Sequence, residues 1–162
     1  MPAEPPTHEV HLHLRKPWGG GLAAAPEVLG PGATEWLGRP LQESAHGRRR
    51  FETDLVLPVA GQARKTVLRK AAIVELGPVA VSPGAVKVEV GWRSATLAPL
   101  YPVFGGVLTV APDQIELDGY YAPPGGELGV ILDRALLNIA ARGTARWFIT
   151  QVSAALGNRA EP

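Results

Sequence analysis

His11 and His13 stand two residues apart in an alternating stretch, which puts both imidazoles on one face of a strand. Two such nitrogens can begin a metal site. No carboxylate or further histidine stands beside them in the sequence, and His46 is remote, so the expectation is a solvated strand face and no metal. Arg48, Arg49 and Arg50 form a basic run that could meet an anionic partner, although such a run is more simply a solvated loop. Glu89, Glu116 and Asp118 fall on the outward phase of their strands. Asp133 and Arg134 are adjacent on a helix and diverge. Gly19, Gly20 and Gly21 lack the Lys-Ser/Thr of a phosphate loop. No Ser-His-Asp order with a nucleophile elbow is present. The absence of cysteine removes disulfides, thiolate metal sites and cysteine nucleophiles. No acid–base set and no cofactor site emerge.

What remains is apolar and aromatic. Trp92, Phe104, Leu117, Tyr121, Leu132, Ala135, Ile139 and Trp147 are the residues expected to line an interior between a sheet and a helix. Tyr121 and Trp147 add single polar handles, as ligand pockets tend to have. The same set could pack as a filled core, and the sequence leaves both open. A catalytic role would need an ionisable group inside, with Tyr121 or an inward-turned arginine as the best candidate.

The elements that must position these residues follow from periodicity. At residues 123–126, Pro-Pro-Gly-Gly ends a strand and frees the chain to start a helix. Glu127 suits the positive end of the helix dipole. Gly157-Asn158 offers a stop. Between them lie about 30 residues, or ~45 Å if helical. Leu128, Ile131, Leu132, Ala135, Leu136 and Ile139 share one face. Ala141, Ala145, Phe148, Val152 and Leu156 form a second apolar set well round the helix, and the change falls near Gly143, predicting a kink or a change of packing partner.

Upstream, residues 1–7 read as a Pro-rich tail. Val10, Leu12 and Leu14 alternate with the histidines. Two short helices are predicted at 26–29 and 34–37, with Pro26 at a first helical position. Strands follow at 51–59, 66–76, 86–92, 103–110 and 115–121. Gly77-Pro78 is expected to end the second of these, with a brief resumption at 79–81. Residues 96–101 should be a loop. Gly105-Gly106 suggests a bulge or a close approach. Short turns between neighbouring strands make an antiparallel meander.

With 162 residues, one domain over 8–157 is the simplest division, leaving 158–162 as a tail. The composition, 46% hydrophobic and 19% charged, is that of a soluble globular chain. A net charge of +1 argues against a dedicated nucleic-acid binder. No apolar run approaches a membrane span, and the start lacks the basic and apolar regions of a signal peptide, so a cytoplasmic address is the default.

A sheet with one apolar face must bury it, and the long C-terminal helix is the apolar element available. The predicted class is α+β: a curved antiparallel sheet of about seven strands wrapped round a long C-terminal helix, with two short helices after the first strand. This order resembles the START-like, or SRPBCC, helix-grip superfamily, which includes polyketide cyclase/dehydrase-type proteins. The local match lies at Tyr121, Pro123, Pro124, Leu128, Gly129, Asp133, Arg134, Leu136 and Leu137, and 31–41 with Trp36 looks like the helix after the first strand. The resemblance implies a cavity between sheet and helix and a small hydrophobic molecule as partner. It also admits a cyclase- or dehydratase-like enzyme, while a filled-core structural or regulatory protein remains a third reading.

Overall fold

The computed structural model describes residues 9–44, 46–59, 66–95, 103–122 and 134–160, with side chains at all of these except 56–59, 66–70 and 134–137. The order is β1 (Val10–Pro17), α1 (Ala25–Leu29), α2 (Ala33–Trp36), β2 (Arg39–Leu41), β3 (Arg49–Val59), β4 (Thr66–Ser82), β5 (Ala85–Ser94), β6 (Val103–Val110), β7 (Gln114–Ala122) and α3 (Arg134–Ala160). The class is α+β. Seven antiparallel strands form one curved sheet in the order β1-β7-β6-β5-β4-β3-β2. From β2 to β7 each strand pairs with its successor, and β1 closes against the last. The two short helices carry the chain from one edge of the sheet to the other. Gly38, at φ 130°, turns it into β2 through a conformation that L side chains rarely adopt.

The inward phase is the one the alternation predicts. Val86, Val88, Val90 and Trp92 on β5, Leu108 and Val110 on β6, and Ile115, Leu117 and Tyr121 on β7 are all buried. Helix α3 packs on the inner face of the sheet, against β7 and β1 toward one edge and β3 toward the other. Its buried stripe is Ala141, Ala145, Phe148, Val152 and Leu156, the second set read from the sequence. No helix among the described residues is long and apolar enough to cross a membrane.

Four expectations change. Strand β4 does not end at Gly77-Pro78. It runs on to Ser82 through a register shift between Leu76 and Val79. The pairing with β3 stops at Arg49 and Leu76, so Pro78 lies where no strand borders β4 on that side and its missing N–H breaks no ladder bond. Conversely, β6 keeps continuous register through Gly105 and Gly106, so the glycine pair makes no bulge. Helix α3 does not stop at Gly157-Asn158 but runs on to Ala160. Ile139 is not inward; it is 44% exposed. It lies nine residues from Phe148, about 180° round the helix, so a stripe that buries Phe148 must turn Ile139 outward.

Candidate functional site

The inner surface is built around a column of four aromatic rings. The Trp92 ring on β5 stacks on Phe104 of β6, with centroids 4.2 Å apart and planes at 20°. Phe148 comes down from α3 against Trp92 at 5.5 Å, and Trp36 of α2 packs against Phe148 at 5.9 Å. Trp36 is anchored by its indole, which donates to the Val28 carbonyl at 2.9 Å. One column thus ties strand, helix and short helix together.

Phe104 can lie where it does because the sheet beneath it has no side chains. Gly106 of β6 pairs with Gly119 of β7, both on the inward phase. A Cβ on Gly106 would stand 2.9 Å from Phe104 Cζ, and one on Gly119 2.8 Å from the same atom. The close approach anticipated at Gly105-Gly106 is therefore made at Gly106, by the β7 backbone at Asp118 and Gly119 first and by the Phe104 ring next.

Beside this column lies a small polar group. The Tyr121 hydroxyl donates to Asn138 Oδ1 at 3.4 Å, and Arg142 Nε donates to the same oxygen at 3.2 Å. Residues 138 and 142 are one helical turn apart, so α3 presents both at one place. Burial raises the Tyr121 pKa above its ordinary value, partly offset by the positive charge of Arg142. The phenol therefore stays protonated and acts as a hydrogen-bond donor. Ala141 and Ala145 are the inward residues of α3 along this stretch.

Of the residues read from the sequence, Trp92, Phe104, Leu117 and Tyr121 share the buried inner face, and Trp147 packs partly buried against the core. Ile139 is turned away. Leu132 lies outside the described residues, as do the Pro-Pro-Gly-Gly break, Leu128, the expected loop at 96–101 and the tail at 1–7; the Ala135 side chain also falls outside the description. Phe148 and Asn138 went unselected. Phe148 shares a helical stripe with Ala141 and Ala145, which was a usable signal. Asn138 carried none, because its value depends on facing Tyr121.

The arginine run does not stand free. Arg48 pairs with Glu89, and Arg50 Nε lies 3.3 Å from Glu75 Oε1. Arg49 donates to the carbonyls of Leu29, at 2.7 Å, and Gly30, holding the C-terminal end of α1 to the sheet. Burial lowers the Arg49 pKa, against the raising effect of Glu43. A recess of about 310 Å³ beside it is lined by Pro26, Gly30, Pro31, Arg49, Pro78 and Val79.

No family model matches the chain, and no curated protein matches it. A solved structure described as a conserved protein from Geobacillus kaustophilus is similar over 92% of this chain and 96% of its own, at 10% identity and a TM-score of 0.47. A likeness of that size carries no argument about function.

Proposed function

We propose that the chain binds a small hydrophobic molecule between its sheet and α3, in the manner of START-like helix-grip proteins. The supporting observation is Tyr121. Its protonated phenol is buried among apolar residues, donates one long hydrogen bond to Asn138, and can still accept one. A mostly apolar surface with one fixed polar group is the usual composition of a small-molecule site. The aromatic column runs from Trp36 through Phe148 and Trp92 to Phe104, which pairs with Tyr121. The ligand would sit beside Tyr121, where the inward residue of α3 is the small Ala141. Its apolar body would lie against Phe104 and Trp92, and a ligand hydroxyl or N–H would donate to the Tyr121 oxygen, whose own proton is held by Asn138.

The test uses 1-anilinonaphthalene-8-sulfonate on the full chain. Saturable fluorescence is expected for the wild type. Ala141→Trp should abolish it with the far-ultraviolet circular dichroism unchanged. Tyr121→Phe should weaken it by roughly fivefold, the loss of one hydrogen bond of ~1 kcal/mol. Equal uptake by wild type and Ala141→Trp would overturn the reading.

One observation favours a second reading, a cyclase- or dehydratase-like enzyme. A phenol held protonated beside the Arg142 guanidinium can, on releasing Asn138, turn its O–H to a ligand carbonyl and polarise it by a hydrogen bond. Turnover of a polyketone lost in Tyr121→Phe, with binding retained, would separate this from simple carriage.

A further inference from the structure

The opposite face of the sheet carries a cluster that ligand binding does not use. Antiparallel register sets His13 directly across from Asp118, and Arg15 across from Glu116. Residues two apart share a face, so His11, His13, Glu116 and Asp118 form one block on the side away from α3. His11 Nε2 donates to Asp118 Oδ1 at 2.6 Å, and His13 Nδ1 donates to Asp118 Oδ2 at 3.1 Å. One ligand atom each from His13, Glu116 and Asp118 lies within 4.8 Å of the others. The expectation that no carboxylate stands beside the histidines is thereby corrected.

We infer that this block is a surface site for a divalent transition-metal ion of the zinc type, ligated by His13, Asp118 and Glu116. Metal–ligand bonds of about 2.0–2.2 Å place tetrahedral ligand atoms about 3.3 Å apart. The His13–Asp118 pair is already at that separation. Glu116 has to close by at most about 1.5 Å, within reach of its side-chain torsions. The imidazole selects zinc-like ions over magnesium or calcium, which prefer oxygen alone.

His11 is a positioning residue. It holds the second oxygen of Asp118, leaving Oδ2 for the ion, and its ring is steadied by Tyr120 at 5.1 Å. Arg15 opposes the ion: its Nε donates to Glu116 Oε2 at 3.0 Å and its charge repels a cation. Metal at Nδ1 of His13 requires the proton there to move to Nε2 by exchange with solvent, which gives the other neutral tautomer. The two carboxylates and Arg15 leave a local charge of −1, so the site is attractive but not tight.

Calorimetric titration of the tag-free full chain with zinc chloride tests this. One zinc per chain is expected. His13→Ala should remove stoichiometric binding, His11→Ala should weaken it about tenfold, and Arg15→Ala should tighten it. His46→Ala should change nothing. Glu116→Gln, close in shape to the native residue, should also abolish binding and keeps the test sound if another variant misfolds. Nickel should broaden the imidazole and amide resonances of β1 and β7. No zinc uptake by the wild type, uptake indifferent to His13→Ala and Glu116→Gln, or uptake lost in His46→Ala would each overturn the assignment. None of these variants touches the inner face, so failure here leaves the ligand proposal standing.

Discussion

Strands β1 and β7 carry two chemistries one residue apart. On the inner face Leu12, Leu117, Gly119 and Tyr121 are buried against helix and rings; on the outer face His11, His13, Glu116 and Asp118 meet one another in solvent. The backbone is shared, so the contrast comes from alternation alone. The inner face gets its stability from apolar burial and shape. The outer face holds a charge pattern that burial would make too expensive. This division lets one pair of strands carry both an apolar face and a titratable one without either disturbing the other.

The largest expected effect attacks the inner face. Phe148 is fully buried and touches both Trp92 and Trp36, so Phe148→Ala removes the centre of the column. A loss of about 3–5 kcal/mol is expected, read as a lower urea midpoint. A loss under about 1 kcal/mol would mean that the column is not a main source of stability. A sharper version uses two neighbouring glycines. Gly119→Ala forces a methyl against the Gly105 carbonyl and Gly106 Cα of β6 as well as the Phe104 ring and should cost at least about 1–3 kcal/mol, with a change in Trp92 fluorescence. Gly105→Ala, on the outward phase with open space around it, should stay within about 0.5 kcal/mol. Equal effects at both positions would break the comparison.

How much of this was legible depends on range. Val86, Val88, Val90 and Trp92 declare their strand by alternation, which is a local signal, and β5 forms there as read. The short helices are equally local, with Pro26 and the glycines marking their ends. Pro78 misled because a proline ends a strand only where a neighbour needs its N–H, and the end of β3 is set elsewhere in the chain. Ile139 misled because two apolar stripes share one helix and only the sheet chooses between them. The meeting of His13 with Asp118 spans 105 residues. No local pattern gives the register between a first and a last strand, so the outer cluster was invisible while each of its members was correctly placed on an outward phase.

The smallest expected effect separates the faces by acid. Asp118 accepts from His11 first and His13 second, and these bonds hold its carboxyl below the usual carboxylate range. A carboxyl depressed in the folded state adds stability that is fully present above its unfolded pKa, about 3.9, and is lost as the pH falls through the lower folded value. Tyr121, shifted upward, stays neutral throughout that range, so acid leaves the inner face alone. Urea midpoints of wild type and Asp118→Asn, followed from neutral pH to pH values near 2, therefore should differ most above about pH 4 and converge below it. The variant lacks the contribution at every pH, whereas the wild type loses it only in acid. A difference that stayed constant across the range would mean that the carboxylate holds β1 to β7 by shape and not by charge. The division between a packed face and an electrostatic one would then fail on the side where it is easiest to test.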